Sequence, residues 1–225
     1  MATHRATLPS RRYARPAGGT KKPPAAAPAR RAGFEPVACA ASRSRQGQST
    51  NQDAYFVQRA APAWVAVADG EGEAATCAKR ALQTLSERLG AAAGAEQPKP
   101  WRRWQEEIAA ALHGGPGCAW AAALIVGSRL VGAAMPGLRA AVLAPGAAAC
   151  RWLSDGTEFT VFDEPLRAGE ACLLFTDGAW RALGPGWETM LSAMDNAWCW
   201  PATLLDVASR EGRTDDMTIA LLRRG

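Results

Sequence analysis

Between residues 36 and 223 the chain alternates short apolar runs with turns, and the order of these runs relative to two helical stretches constrains the fold more than any other feature. EPVACAAS, DAYFVQR and AWVAVAD each predict a strand, separated by polar or proline-containing turns. Over 73–93 the period changes. Ala74, Cys77, Ala78, Ala81, Leu82, Leu85 and Leu89 fall on one helical face, with Lys79, Gln83 and Glu87 opposite. After GAEQPKP comes a second helix, WRRWQEEIAAALH, closed by Gly114-Gly115-Pro116-Gly117. CAWAAALIVG, RLVGAAM, LRAAVLA and ACRWLS then predict strands, with Gly127-Ser128 as a two-residue hairpin turn. Following a loop come the strand ACLLFTD, helices near 187–195 and 202–210, and a final strand MTIALLRR. Meandering strands with segregated helix pairs predict an α+β fold, a central antiparallel β-sandwich flanked by helices; a doubly wound α/β sheet is the alternative.

Charge divides the chain in two. Residues 1–33 carry eight basic side chains and no acid, which leaves 18 basic against 21 acidic over the remaining 192. The leader is rich in Pro, Ala and Arg without apolar periodicity, so it is expected to be a disordered basic tail (1–33) ahead of one domain (34–225). Weak nucleic-acid binding through that tail is the only nucleic-acid role expected, and an organelle transit peptide is the other reading of its Arg-rich, acid-free composition. No run reaches the roughly 20 apolar residues of a membrane span, so no membrane partner is expected. The six cysteines include no C-x-x-C pair, which argues for free thiols in a reducing compartment, and a cytoplasmic location. Only His4 and His113 exist, which excludes chemistry needing several histidines. The nine tryptophans are expected in core and edge packing rather than on a binding surface.

Four aspartates stand at strand ends or in adjacent turns: Asp53 in STNQDAYFV, Asp69 in VAVADGEGEA, Asp177 in LLFTDGAW and Asp215 in RTDDMTIALL. Asp-Gly is a common turn dipeptide, so one such residue says little. Gathered, however, carboxylates repel unless a cation neutralises them. Hard divalent ions such as Mg²⁺ or Mn²⁺ take such oxygens, and the glycines after Asp69 and Asp177 allow close backbone approach. Two ions held this way would lower the pKa of a water and aim it at phosphorus. Residues 70–75, G-E-G-E-A-A, also fit the dinucleotide fingerprint, but Asp69, Glu71 and Glu73 would crowd anions where pyrophosphate must sit.

With these blocks in this order, residues 38–223 resemble the type-2C metal-dependent serine/threonine protein phosphatase (PPM) family in its divergent bacterial branch. STNQDAYFV resembles the N-[EQ]-D motif, VAVADGEGEAATCAKRAL the D-G-x-G-G segment and its helix, and CAWAAALIVGSRLVGAAMPGLRAAVL the central strands. ACLLFTDGAW is similar to the [ST]-D-G motif and RTDDMTIALL to the terminal D-[ND]-x-T strand. The resemblance implies two Mn²⁺ or Mg²⁺ ions, held by Asp69, the Gly70 carbonyl, Asp177 and Asp215, with Asp53 beside them. Asp69, Asp177 and Asp215 would act through a metal-activated water that hydrolyses phosphoserine or phosphothreonine in a phosphoprotein substrate, itself the product of a cognate Ser/Thr kinase. Several positions depart from the pattern, among them Glu73 for the second glycine and Cys118-Ala119-Trp120 for the G-S-T block. The arginine that many members place three residues before the Asn is Gln48, leaving Arg43 and Arg45 as substitutes for gripping phosphate. The His often found after D-G is Glu71, and the aspartate of the G-D-S-R block is Gly137. These departures imply an alternative, a weakened or inactive phosphatase-like domain that binds a partner as a regulator.

Overall fold

The computed structural model describes residues 35–70, 75–91, 99–112, 117–211 and 214–225. The expected tail (1–33), the phosphate-loop-like Glu71–Ala74 stretch, the break after the first helix and His113 lie outside them. Among the described residues ten strands form two antiparallel sheets. The first contains β1 (Val37–Arg43), β10 (Met217–Arg223), β9 (Ala171–Phe175), β6 (Arg139–Leu143) and β7 (Arg151–Ser154), in that order. The second runs β2 (Ala54–Gln58), β3 (Trp64–Gly70), β4 (Cys118–Val126), β5 (Arg129–Ala134), β8 (Thr160–Pro165). Because every pairing is antiparallel, the fold is the expected α+β sandwich and not a doubly wound sheet.

The period-2 geometry of a strand explains why the central runs are apolar throughout. In β3, Val65 and Val67 face the other sheet while Trp64, Ala66 and Ala68 face helices α1 (Ala75–Ala91) and α2 (Lys99–Ala111). In β10, Ala220 and Leu222 point between the sheets and Met217, Ile219 and Leu221 point outward. That outer face is covered by α3 (Asp177–Ala182), α4 (Trp187–Ser192) and α5 (Trp200–Ala208). A sheet covered on both faces has no polar side to show. The Gly127-Ser128 hairpin forms as expected, with Val126 opposite Arg129 and Gly127 at φ +60°.

Two elements were not expected. β8 reads as a loop in sequence because TVFDEP carries two adjacent acids and ends in proline. It is a sheet-edge strand in which Phe162 alone is buried, and such edges carry charge and proline to discourage further pairing. α3 spans only six residues, too few to show a helical period. Trp64, Trp101, Trp104, Trp120, Trp187 and Trp200 are buried, whereas Trp152 and Trp198 are exposed. All six cysteines are free; Cys39 and Cys172 are buried, and Cys199 is exposed.

Candidate functional site

The antiparallel pairing brings the four aspartates to one end of the sandwich. Asp53 immediately precedes β2, whose first residue, Ala54, is opposite Ala68 on β3, so Asp53 and the β3 terminus, Asp69-Gly70, emerge together. In the facing sheet Ile219 of β10 is opposite Phe175 of β9, so Asp215, just ahead of β10, meets Asp177, the first residue of α3. Asp69, Gly70, Asp177 and Asp215 line a cleft of about 490 Å³ together with Gln52, Cys118 and Gly137. Asp53 is 6% exposed and sits behind it.

A chain of polar contacts ties the two sheets at this end. The Thr176 hydroxyl donates to Asp53 Oδ2 at 2.8 Å and accepts from the Thr218 backbone N–H at 2.9 Å. Thr218 Oγ1 lies 2.6 Å from the Ser42 hydroxyl, which accepts from Asn51 Nδ2 at 2.6 Å; Asn51 Oδ1 accepts from the Asp53 N–H at 3.0 Å. Asp216, 3% exposed, accepts the Arg45 N–H on Oδ1 at 2.6 Å and the Gln52 N–H on Oδ2 at 2.5 Å. One carboxylate thus clamps both ends of the loop between β1 and β2 against the approach to β10.

Burial raises the Asp53 carboxyl above its ordinary range; the Thr176 and Thr218 contacts oppose this, and the charges of Asp216 and Asp215 add to it. Burial likewise raises Asp69, reinforced by Asp53 and by the hydrogen bond and charge of Asp177. Asp215 is raised by burial and by Asp177 and Asp216, against a backbone hydrogen bond from Asp216 and the charge of Arg45. Asp177 is held by Arg181, whose Nη1 lies 2.6 Å from Oδ2. This is a carboxylate cluster short of positive charge.

Among the described residues, no three His, Cys, Asp or Glu side chains are spaced to enclose an ion as they stand. The donor set still has the chemistry a hard divalent cation takes, with Asp69, Gly70, Asp177 and Asp215 lining one cleft. Burial pushes the Cys118 thiol there up to about 12, and a soft sulfur suits a hard divalent ion less well than the carboxylates do.

The two candidate phosphate-gripping arginines differ. Arg43 is ion-paired with Asp206 of α5 and donates to Ser209 Oγ at 3.2 Å, and it does not line the cleft. Arg45 also lies outside the lining, but its charge reaches Asp215. Gly137 has φ +91°, its N–H donates to Gly156 O at 2.9 Å, and its carbonyl accepts from Trp180 Nε1 at 3.1 Å. An aspartate would be strained in that turn. Sequence reasoning singled out Asp215 and passed over Asp216, Thr176, Thr218 and Asn51. The available signal was a second acid directly before a strongly apolar strand, where a solvated acid gains nothing.

No protein-family model matches the sequence, and no curated protein does. The fold, by contrast, matches solved structures closely. The Mycobacterium tuberculosis serine/threonine phosphatase PstP/Ppp superimposes with a TM-score of 0.71 at 18% identity, over 84% of this chain and 98% of that one. The PstP catalytic domain in complex with two manganese ions gives 0.68 at 20%, covering 84% and 97%. PppA, a regulatory component of the type VI secretion system in Pseudomonas aeruginosa, gives 0.71 at 15%, covering 86% and 99%. The chain has the fold of the bacterial PPM-type serine/threonine phosphatases.

Proposed function

We propose that this chain is a Mn²⁺- or Mg²⁺-dependent protein phosphatase of the PPM type, acting on phosphoserine or phosphothreonine placed on its protein substrates by a Ser/Thr kinase. The observation that carries the reading is the convergence of Asp69, Gly70, Asp177 and Asp215 on one cleft at the sandwich end. In this reading those four residues hold two ions, and Asp53, buried and bonded to Thr176, supports them. Bound ions would supply Lewis-acid polarisation of the phosphoryl oxygens and acidify an attacking water. The Asp69 carboxyl, raised by burial and its acidic neighbours, would have to be ionised to serve as a ligand, so metal entry would release protons. Arg45, near Asp215, is the cation we assign to the substrate phosphate. The manganese-bound PstP domain supports the choice of ion, being a neighbour of the same fold.

The test is phosphate release from a phosphothreonine peptide during a Mn²⁺ titration of the wild type and Asp69→Asn. Turnover is expected to require added metal and to fall at least about a hundredfold in the variant, as expected when a group central to transition-state charge is removed. Metal-saturated wild type that leaves several phosphopeptides intact would refute it. A second reading, a partner-binding domain without catalysis, is favoured by the commitment of Arg43 to Asp206 and by Gln48 and Gly137 at positions of expected function. It requires calorimetry to find no two-site Mn²⁺ binding.

A further inference from the structure

Beside the acidic cleft, across the Trp180–Gly137 hydrogen bond, lies a second pocket of about 230 Å³. Its walls are Trp152, Phe175, Trp180 and Trp187, with Arg139 and Glu188 as the charged groups. Arg139 lies against two of these rings: its Cζ is 3.6 Å from the Trp180 ring centroid and 5.2 Å from that of Trp152. Its Nε is buried without a hydrogen-bond partner, and among the described residues no carboxylate pairs with its guanidinium. Asp155 is close enough to feel the charge but is turned to the Thr157 N–H and hydroxyl.

Stacking satisfies the faces of a guanidinium and leaves its edge, a fork of parallel donors that matches a planar carboxylate. An arginine whose Nε is buried with no acceptor is costly unless something accepts from it. We propose that this pocket is a binding site for the carboxylate side chain of an acidic peptide, with Arg139 as the anchor and the tryptophans as its apolar walls. A monoanion suits it better than a phosphate dianion, because Glu188 on the same wall offsets the charge of Arg139, leaving little extra attraction to meet a dianion's larger desolvation cost. Its volume admits one side chain, not a folded partner. That the peptide continues into the neighbouring cleft, making the pocket a specificity subsite for acidic residues flanking the phosphorylated one, rests on the function proposed above.

The experiment follows intrinsic tryptophan fluorescence of the full chain, without added metal, titrated with capped pentapeptides carrying a central Glu-Glu, Gln-Gln or Lys-Lys pair. The Glu-Glu peptide is expected to bind at least tenfold tighter than the Gln-Gln peptide. Arg139→Gln should remove that preference, with near-ultraviolet circular dichroism reporting whether the tryptophan cluster remains packed. Glu188→Gln, at a half-buried position of α4, keeps the oxygen that accepts from the Cys150 thiol at 3.7 Å and should tighten Glu-Glu binding at least threefold. Equal affinity for the three peptides, preference for Lys-Lys, or no effect of Glu188→Gln would each overturn the assignment. Phosphopeptide turnover with Mn²⁺ is measured separately. Loss of turnover with acidic-peptide binding intact strikes the proposed reaction, and the reverse strikes only this pocket.

Discussion

At the scale of single residues, the site depends on close approach as much as on charge. A Cβ on Gly178 would lie 2.1 Å from the Asp216 carbonyl oxygen and 2.9 Å from Asp215 Cβ, both contacts with the turn that carries the acids. Gly178→Ala must push α3 away from that turn, at a cost of about 1–3 kcal/mol or more in overpacking. The expected result is a lower Tm together with weakened Mn²⁺ affinity, read by calorimetry. Asp216 makes a complementary case. Replacing it with alanine leaves the Arg45 and Gln52 N–H groups without their carboxylate acceptor, at about 1–3 kcal/mol for each that stays buried. Denaturant unfolding of Asp216→Ala should show that loss, while Asp216→Asn, which keeps one acceptor, should lose less. Asp-Gly was visible in sequence at both Asp69 and Asp177. That the second glycine meets the Asp215–Asp216 turn depends on two segments about 40 residues apart, which no local pattern reports.

At the scale of elements, legibility followed burial. β3, β4, β9 and β10 are buried on both faces and could be read from their apolar runs alone. β8 could not, since its only strong apolar anchor is Phe162, and the strand is identified by its pairing to β5. That pairing depends on Gly132. A Cβ there would lie 2.4 Å from Phe162 Cε2 and 2.2 Å from the Ala122 carbonyl oxygen, so the ring covers the space the glycine leaves. Phe162→Ala is expected to cost about 3–5 kcal/mol, as for other buried phenylalanines, and to expose β8 amides to hydrogen exchange before those of β4. If β8 stays as protected as β4 in the variant, its anchoring by Phe162 is wrong. The ion pair Arg129–Asp163 on the same edge is exposed and contributes little by comparison.

At the scale of the whole molecule, the carboxylate cluster links stability to pH and to metal. Asp53, Asp69 and Asp215 all have folded pKa values raised above the ordinary 3.8, so the folded chain holds more protons than the unfolded one from about that pH upward. Metal-free protein should therefore lose stability as pH rises from about 4 through these raised values, and then level off. Thermal unfolding across this range tests it; a Tm that rises steadily with pH would contradict it. Divalent ions bound to the folded state alone should reverse the loss, adding about 2.7 kcal/mol at a hundredfold excess over Kd. No helix among the described residues is long and apolar enough to cross a membrane. By itself the sequence determined the two-sheet sandwich, because strands buried on both faces must be apolar at every position, and it determined which aspartates end them. Only the tertiary structure decided how those aspartates meet. It joined Asp53, at the edge of one sheet, to Thr176 and Thr218 of the other, engaged Arg43 with Asp206 away from the cleft, and set Arg139 against two tryptophans. These are contacts between residues far apart in the chain. Their energies depend on distance and desolvation, which a one-dimensional pattern does not contain.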